Sequence, residues 1–287
     1  DGGRTASTGV FSPSKQAIFL KGTLLSYEVL RSALFQRSLA GLHTPKLAAV
    51  KLEREDSLRS SYCHYRLEVY SKRYYPLKSY LIKKMDLVPF NGSDHTQEYL
   101  SKLGKLLVQI LDAICFCHSF GLVHADLKLE NILLNLDKNG SIHNAVLGDL
   151  DTMRPATDYL KFLSGMSTYV DSTNAPIDEI FQGPRAYHDP KASSVEGLRL
   201  KRRVTSTRQD VWAFGLIVAQ LLTGALDPSR IDETDCNAAR SFATELRERC
   251  CGHPWHYIVQ RCLAYERPEL TPTAEELRVL FRQAIKS

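Results

Sequence analysis

The 287-residue sequence has no run that approaches the roughly 18 continuous apolar residues a membrane-spanning helix needs. It also has no internal repeat and no low-complexity tract. A strong excess of one charge is missing too, because 37 Lys and Arg residues against 32 Asp and Glu residues leave a net charge of only +5. This balance permits an acidic partner but does not indicate nucleic acid, since an ordinary solvated surface gives the same excess.

The composition is that of a globular protein. Hydrophobic residues make up 44% of the chain and charged residues 24%, which argues against intrinsic disorder. A chain of 287 residues has room for one large domain or for two lobes.

The N-terminal part has short elements of mixed character. Residues 1–25 have weak periodicity, and we expect a mobile or trimmed edge there. Apolar residues at helical spacing predict a helix over 24–39. Runs rich in β-branched or aromatic residues at 47–51, 65–70 and 79–85 predict strands of an antiparallel sheet.

The rest of the chain is dominated by helical patterns. An amphipathic helix is predicted over 98–120, and a helix that is apolar on nearly every side over 210–222, with Gly224 as its C-cap. A Thr-x-x-Glu capping box opens a further helix over 273–285. The change of character near 86–94 predicts an α+β fold with two lobes.

The most informative run is Gly-Leu-Val-His-Ala-Asp-Leu-Lys-Leu-Glu-Asn-Ile-Leu-Leu at 121–134. It resembles the H-R-D-L-x-x-x-N catalytic loop of protein kinases and matches four of the five fixed positions. The resemblance implies three roles in phosphoryl transfer. Asp126 would accept or orient the proton of the substrate hydroxyl, Asn131 would bind Mg²⁺, and Lys128 would offset the charge on the transferred phosphoryl group.

Further kinase motifs occur along residues 24–287, in the order in which protein kinases carry them. Asp149 stands where kinases carry the metal-binding Asp of D-F-G, and Glu28 matches the helix glutamate of the nucleotide site. Residues 175–179 resemble a stretched A-P-E motif, and 210–215 match D-x-W-x-x-G. The resemblance implies a bilobal kinase-like fold with a reduced N-terminal β lobe at 1–87 and a mainly helical lobe at 88–287.

Finer features are similar to the rhoptry-type secreted kinases of Toxoplasma-like apicomplexan parasites. These are the segment 27–31 with the strand region after it, the long insert at 183–207, and the cysteines near the C-terminus. Members of that family are exported, and many are pseudokinases. The resemblance implies a location in the parasitophorous vacuole or the cyst wall and a protein partner of unknown identity.

The nucleotide site departs from the kinase pattern in two ways. No G-x-G-x-x-G precedes the strands, so the loop whose backbone amides would cover the phosphates is either absent, trimmed from the given sequence, or disordered. No lysine is placed in the strand before Glu28 if that strand falls near 9–11, because Lys15 and Lys21 are then expected in the connecting loop. Lys51, in an Ala-Ala-Val-Lys run, follows the helix and is rejected.

Two further departures lie in the catalytic motifs. Ala125 replaces the Arg of H-R-D, which implies no switch through a phosphorylated activation segment. Asp151 replaces the Gly of D-F-G and adds negative charge where ATP phosphates would lie. The sequence therefore favours a pseudokinase that needs no cofactor and acts as a binding or scaffold module. The alternatives are an active Ser/Thr kinase, with ATP and Mg²⁺ held by Asn131 and Asp149, and a structural component of a vacuolar or cyst wall.

The cysteines and one basic run leave two interpretations each. Four of the seven cysteines, Cys236, Cys250, Cys251 and Cys262, are clustered, which fits either buried thiols or a local disulfide in an exported protein. The run from Cys250 to His256 lacks the paired spacing of a structural zinc site. Five basic residues within 199–208 form either a solvated loop or a docking patch for an acidic partner.

Overall fold

The computed structural model describes residues 17–23, 43–44, 47–55, 63–70, 74–83, 97–150, 153–156, 207–224, 238–264 and 270–285. The predicted helix over 24–39, the lobe boundary near 86–94, the A-P-E-like segment at 175–179 and all but the last residue of the insert at 183–207 lie outside these residues.

An antiparallel sheet is the first structure in the described part of the chain. It consists of β1 (Ala17–Thr23), β2 (Leu47–Glu55) and β3 (Cys63–Tyr70) in the order β1-β3-β2. The strands expected at 47–51 and 65–70 are confirmed. The expectation of a mobile or trimmed edge did not include β1, whose consecutive apolar residues lack a clear alternation and become a strand by pairing with the distant β3.

The prediction of a strand at 79–85 was wrong. After the two-residue strand β4 (Tyr75–Pro76), the chain forms helix α1 (Leu77–Lys83). Leu77 and Leu81 are four residues apart and both buried, whereas Ile82 is 57% exposed, which is the pattern of one helical face. The aromatic and β-branched content of this run suggested a strand, but packing of the Leu77 and Leu81 side chains decides the structure.

The helices predicted for the C-terminal part are confirmed. Helix α2 (Gln97–Ser119) is followed by strand β5 (Leu122–Val123), a 3₁₀ turn (Leu129–Asn131) and the hairpin of β6 (Ile132–Leu136) and β7 (Ile142–Leu147). After strand β8 (Arg154–Pro155) come α3 (Thr207–Thr223), α4 (Ala238–Arg249), α5 (His256–Cys262) and α6 (Ala274–Ala284).

The ends of two helices follow the local signals of the sequence. The Thr273 Oγ1 atom accepts the Glu276 amide hydrogen, and the Glu276 carboxylate accepts the Thr273 amide hydrogen at 2.7 Å, so the capping box is formed. Gly224 has a φ of 69° directly after α3, as expected for a C-cap.

Helix α3 lies in the middle of the core, and almost all of its residues are buried. Phe214 on α3 packs edge-to-face against Phe281 on α6, with ring centroids 5.7 Å apart, and Trp255 packs on the same Phe281 ring. Gly215 lies directly against Cys262 and Leu263, so α3 and α5 approach each other closely there. This packing fixes the position of α3, whose first turn contacts the catalytic-like loop.

The cysteines of the described part are free thiols: Cys115, Cys117, Cys250, Cys251 and Cys262. A disulfide among the last three is therefore absent, while the predicted pairings that involve Cys63 or Cys236 lie outside the side chains described here. No group of three or more His, Cys, Asp or Glu side chains suited to a metal ion occurs within the described ranges. Helices long and apolar enough to cross a membrane are likewise absent from this part of the chain.

Candidate active site

The catalytic-like loop runs from β5 to the 3₁₀ turn and carries Asp126 at its centre. Lys128 Nζ donates a 2.7 Å hydrogen bond to Asp126 Oδ2. Asn131 Nδ2 donates to the same oxygen at 3.0 Å and to the Asp126 carbonyl at 2.7 Å. The three residues that the sequence assigned to phosphoryl transfer therefore meet in one hydrogen-bonded group.

The environment of Asp126 changes its acidity. Its side chain is only 6% exposed, and this burial raises the pKa of the carboxyl group. The neighbouring Lys128 cation acts in the opposite direction, and the negative charge of Asp149 adds to the increase. Asp126 is thus a poorly solvated carboxylate with a second carboxylate nearby, an arrangement that favours proton acceptance or a bound cation.

Asp149 is tied to the catalytic loop through the residue before it. The Gly148 amide donates to the Asn131 carbonyl at 2.8 Å, and His124 Nε2 donates to the Gly148 carbonyl at 3.0 Å. Asp149 itself has a left-handed backbone with a φ of 56°. Asp151, which replaces the Gly of the D-F-G pattern, lies outside the described residues.

The donor groups present here fit a magnesium ion. Asn131 turns its amide nitrogen toward Asp126, so its Oδ1 atom is the one that would meet a cation. A carboxylate from Asp149 and an amide oxygen from Asn131 are the hard oxygen ligands that Mg²⁺ prefers.

Asp210, in the first turn of helix α3, binds the backbone of the catalytic-like loop. This fully buried carboxylate accepts the His124 amide hydrogen at 2.8 Å, the Ala125 amide hydrogen at 3.0 Å and a 2.9 Å hydrogen bond from His118 Nε2. Burial acts to raise the pKa of Asp210, but these hydrogen bonds, the one from His118 foremost, bring it below its ordinary value.

The part played by Asp210 and His118 was missed in the sequence. Asp210 was noted only as the start of a D-x-W-x-x-G run, and His118 only as part of a helical pattern. The signal that could have suggested the contact is a histidine in the last turn of α2, which the chain must bring close to α3.

The structure corrects the expected position of Lys21. Lys21 lies in β1, opposite Arg66 of β3, and not in a connecting loop. The strand before Glu28 was expected near 9–11, whereas β1 spans Ala17–Thr23. A lysine-bearing strand therefore directly precedes the segment that contains Glu28, which lies outside the described residues. Of the five basic residues within 199–208, Arg208 lies in the first turn of α3, half-buried, and its guanidinium donates a 3.3 Å hydrogen bond to the Ala264 carbonyl. The other four lie outside the described residues.

Comparison with known proteins gives the family. Residues 85–248, more than half of the chain, match the family model of the protein kinase domain. The chain therefore belongs to the protein kinase family, and the predicted bilobal α+β kinase fold is confirmed.

Several relatives carry names that state an activity. The chain is 26% identical to the serine/threonine-protein kinase ppk27 of Schizosaccharomyces pombe over 173 residues, which cover 60% of this chain and 39% of that protein. It is 26% identical to the serine/threonine-protein kinase pim-2 of Danio rerio over 198 residues, or 64% of this chain and 53% of that protein. It is 33% identical to the serine/threonine-protein kinase PKH1 of Saccharomyces cerevisiae over 116 residues, or 40% of this chain and 13% of that protein. The chain thus spans about half or less of the length of these relatives.

Proposed function

We propose that this chain is a serine/threonine protein kinase domain that transfers the terminal phosphoryl group of ATP to a protein hydroxyl. The observation that carries the proposal is the buried Asp126 carboxylate, hydrogen-bonded to both Lys128 and Asn131. The names of the relatives support the same reaction class.

Each residue of this group has a distinct task in the proposed reaction. Asp126 orients the acceptor hydroxyl and takes up its proton, and the raised pKa of its carboxyl group favours that step. Lys128 places a positive charge beside the reacting oxygens, and Asn131 fixes the orientation of the Asp126 carboxylate. Mg²⁺, when bound, would neutralise negative charge on the phosphates. Asn131 and Asp149 are the residues that would hold the metal ion.

The position of Lys21 changes the weight of the alternatives. The sequence favoured a pseudokinase partly because no lysine was placed in the strand before Glu28. Kinases carry their nucleotide-binding lysine on that strand. With Lys21 in β1, this argument against nucleotide binding no longer applies.

A pseudokinase remains the second candidate, and one observation in the sequence favours it. Asp151 adds a carboxylate where D-F-G has glycine. In this case the fold is a binding or scaffold module for a protein partner, and residues 199–208 are a docking patch for acidic groups. Export to a vacuole or cyst wall, and membership of the rhoptry-type kinases, are proposed from the sequence resemblance alone.

One assay separates the two candidates. Purified chain is incubated with labelled ATP, Mg²⁺ or Mn²⁺, and a mixture of Ser- and Thr-containing acceptor peptides. A kinase transfers label to Ser or Thr, and Asp126→Asn abolishes the transfer. If the wild-type chain transfers no label with either metal, and ATP with Mg²⁺ does not raise its melting temperature, the kinase proposal fails and the pseudokinase stands.

A further inference from the structure

We infer that Gln209 is a positioning residue for the catalytic loop, because it holds Ala125 in the backbone conformation that places Asp126. The inference rests on the proposed kinase function and concerns how its site is kept in working geometry. Gln209 lies in the first turn of α3, directly before Asp210.

Ala125 has a backbone conformation that needs external support. Its φ is 66°, in the left-handed region, where an L-residue with a Cβ atom is disfavoured. Glycine, asparagine and aspartate adopt this region most readily, and alanine has no side-chain group with which to stabilise it. The conformation is therefore kept by groups outside Ala125.

Both backbone polar groups of Ala125 are bound by α3. Its amide hydrogen goes to Asp210 Oδ1 at 3.0 Å, and its carbonyl accepts a 3.1 Å hydrogen bond from Gln209 Nε2. Gln209 is only 7% exposed, so water does not readily replace this bond.

The Gln209 bond acts on Asp126 through a single peptide unit. The carbonyl of Ala125 and the amide of Asp126 belong to the same planar group. Gln209 binds its oxygen, and the Asp126 amide donates a longer 3.4 Å hydrogen bond to His124 Nδ1 at the other end. Fixing this plane sets the direction in which the Asp126 side chain leaves the backbone.

Ala125 stands where the kinase pattern has Arg, and this difference makes the bond from Gln209 to the Ala125 carbonyl important. With Ala125, the loop has no side chain at this position that could be held by a phosphorylated activation segment. The hydrogen bond from Gln209 to the Ala125 carbonyl is part of the fold and needs no phosphorylation of the chain.

The test compares variants of the full chain in the transfer assay. Gln209→Met removes the amide and keeps the length of the side chain. We expect kcat to fall about fivefold, the size of one buried hydrogen bond, with the KM for ATP unchanged. Adding Ala125→Gly to this variant should restore most of the lost kcat, because glycine populates the left-handed region without support. A purely structural role for Gln209 would not be rescued in this way.

Two further variants keep the test informative. Gln109→Met is the matched control, since Gln109 Oε1 accepts the Ala145 amide hydrogen at 2.8 Å, away from Ala125. It should leave kcat unchanged. If Gln209→Met does not fold, Gln209→Asn serves instead, because its amide is one methylene too short to reach the Ala125 carbonyl.

The outcomes for this inference and for the kinase proposal are separate. If the wild-type chain transfers phosphate but Gln209→Met matches its kcat, or Ala125→Gly gives no rescue, the positioning role is overturned. If the wild-type chain is inactive, the kinase proposal fails, and amide hydrogen exchange of residues 121–128 decides the role of Gln209. Faster exchange in Gln209→Met than in Gln109→Met supports the hold on the loop, and equal exchange overturns it.

Discussion

The Gly148 amide donates a 2.8 Å hydrogen bond to the carbonyl of Asn131, and this bond joins the two halves of the candidate site. Asn131 ends the catalytic-like loop, and Gly148 directly precedes Asp149. One backbone contact thus brings the Asp149 strand end beside the group formed by Asp126, Lys128 and Asn131.

The position of Lys21 leads to a prediction about nucleotide binding. Lys21→Met should abolish the rise in melting temperature that ATP with Mg²⁺ produces, because the strand lysine of kinases contacts the phosphates. The measurement is a thermal shift titration with ATP. Lys51→Met is the matched control, since Lys51 lies in β2 of the same sheet and should leave ATP binding intact. A loss of binding in the control alone would assign the nucleotide lysine to β2.

Removing the charge of Asp126 should stabilise the fold while abolishing transfer. Burial raises the pKa of this carboxyl group above its unfolded value, which is about 4. The stability linked to its proton is therefore complete below pH about 4 and is lost as the pH rises through the folded pKa.

Asp126→Asn should accordingly raise the melting temperature at pH 7, because burial of the charged carboxylate outweighs its ion pair with Lys128. The difference from the wild type should vanish as the pH falls below about 4, which serves as the internal control. The measurement is calorimetry across this pH range without nucleotide. A lower melting temperature for the variant at pH 7 would contradict the account of Asp126 as a buried, poorly solvated charge.

The cysteines should differ strongly in reactivity. Burial raises the pKa of Cys117 and of Cys262 to about 12, so almost no thiolate forms at pH 8, whereas Cys251 is exposed. Iodoacetamide should modify Cys251 in the native protein and reach Cys117 and Cys262 only after denaturation. Peptide mass spectrometry with and without guanidinium checks this. Rapid native labelling of Cys262 would mean that the contact between α3 and α5 opens readily.

Glycine at position 215 should be required by packing. An added Cβ atom would collide with the Cβ atom of Cys262 and lie 3.2 Å from Leu263 Cδ2. Gly215→Ala should lower the free energy of unfolding by about 1–3 kcal/mol, as overpacking does. Urea unfolding measures the change. Helix propensity alone predicts the opposite sign, a gain of about 1 kcal/mol, so a more stable variant would show that α5 moves away at little cost.

The sequence was a good guide wherever the deciding forces are local. The amphipathic stripe of α2 and the Thr273 capping box act within a few turns of one helix, and both predictions are confirmed. The grouping of Asp126, Lys128 and Asn131 followed from a motif whose members lie within six residues.

The errors and omissions involve contacts between distant parts of the chain. Strand β1 exists because it pairs with β3 more than 40 residues later, and its own pattern gave no alternation to detect. The bond from Gln209 to the Ala125 carbonyl joins residues 84 positions apart. No local propensity reports such a bond, since it depends on where α3 lies beneath the loop.

The most direct test of the central claim is the transfer rate of the wild-type chain and of Asp126→Asn, measured side by side with labelled ATP and Mg²⁺. Our account predicts label on Ser or Thr of an acceptor peptide with the wild type, and a rate at least about 100-fold lower with Asp126→Asn, as expected for loss of a catalytic base. Equal rates for the two proteins would contradict the role of Asp126. No transfer by either, with both correctly folded, would contradict the assignment of kinase activity itself.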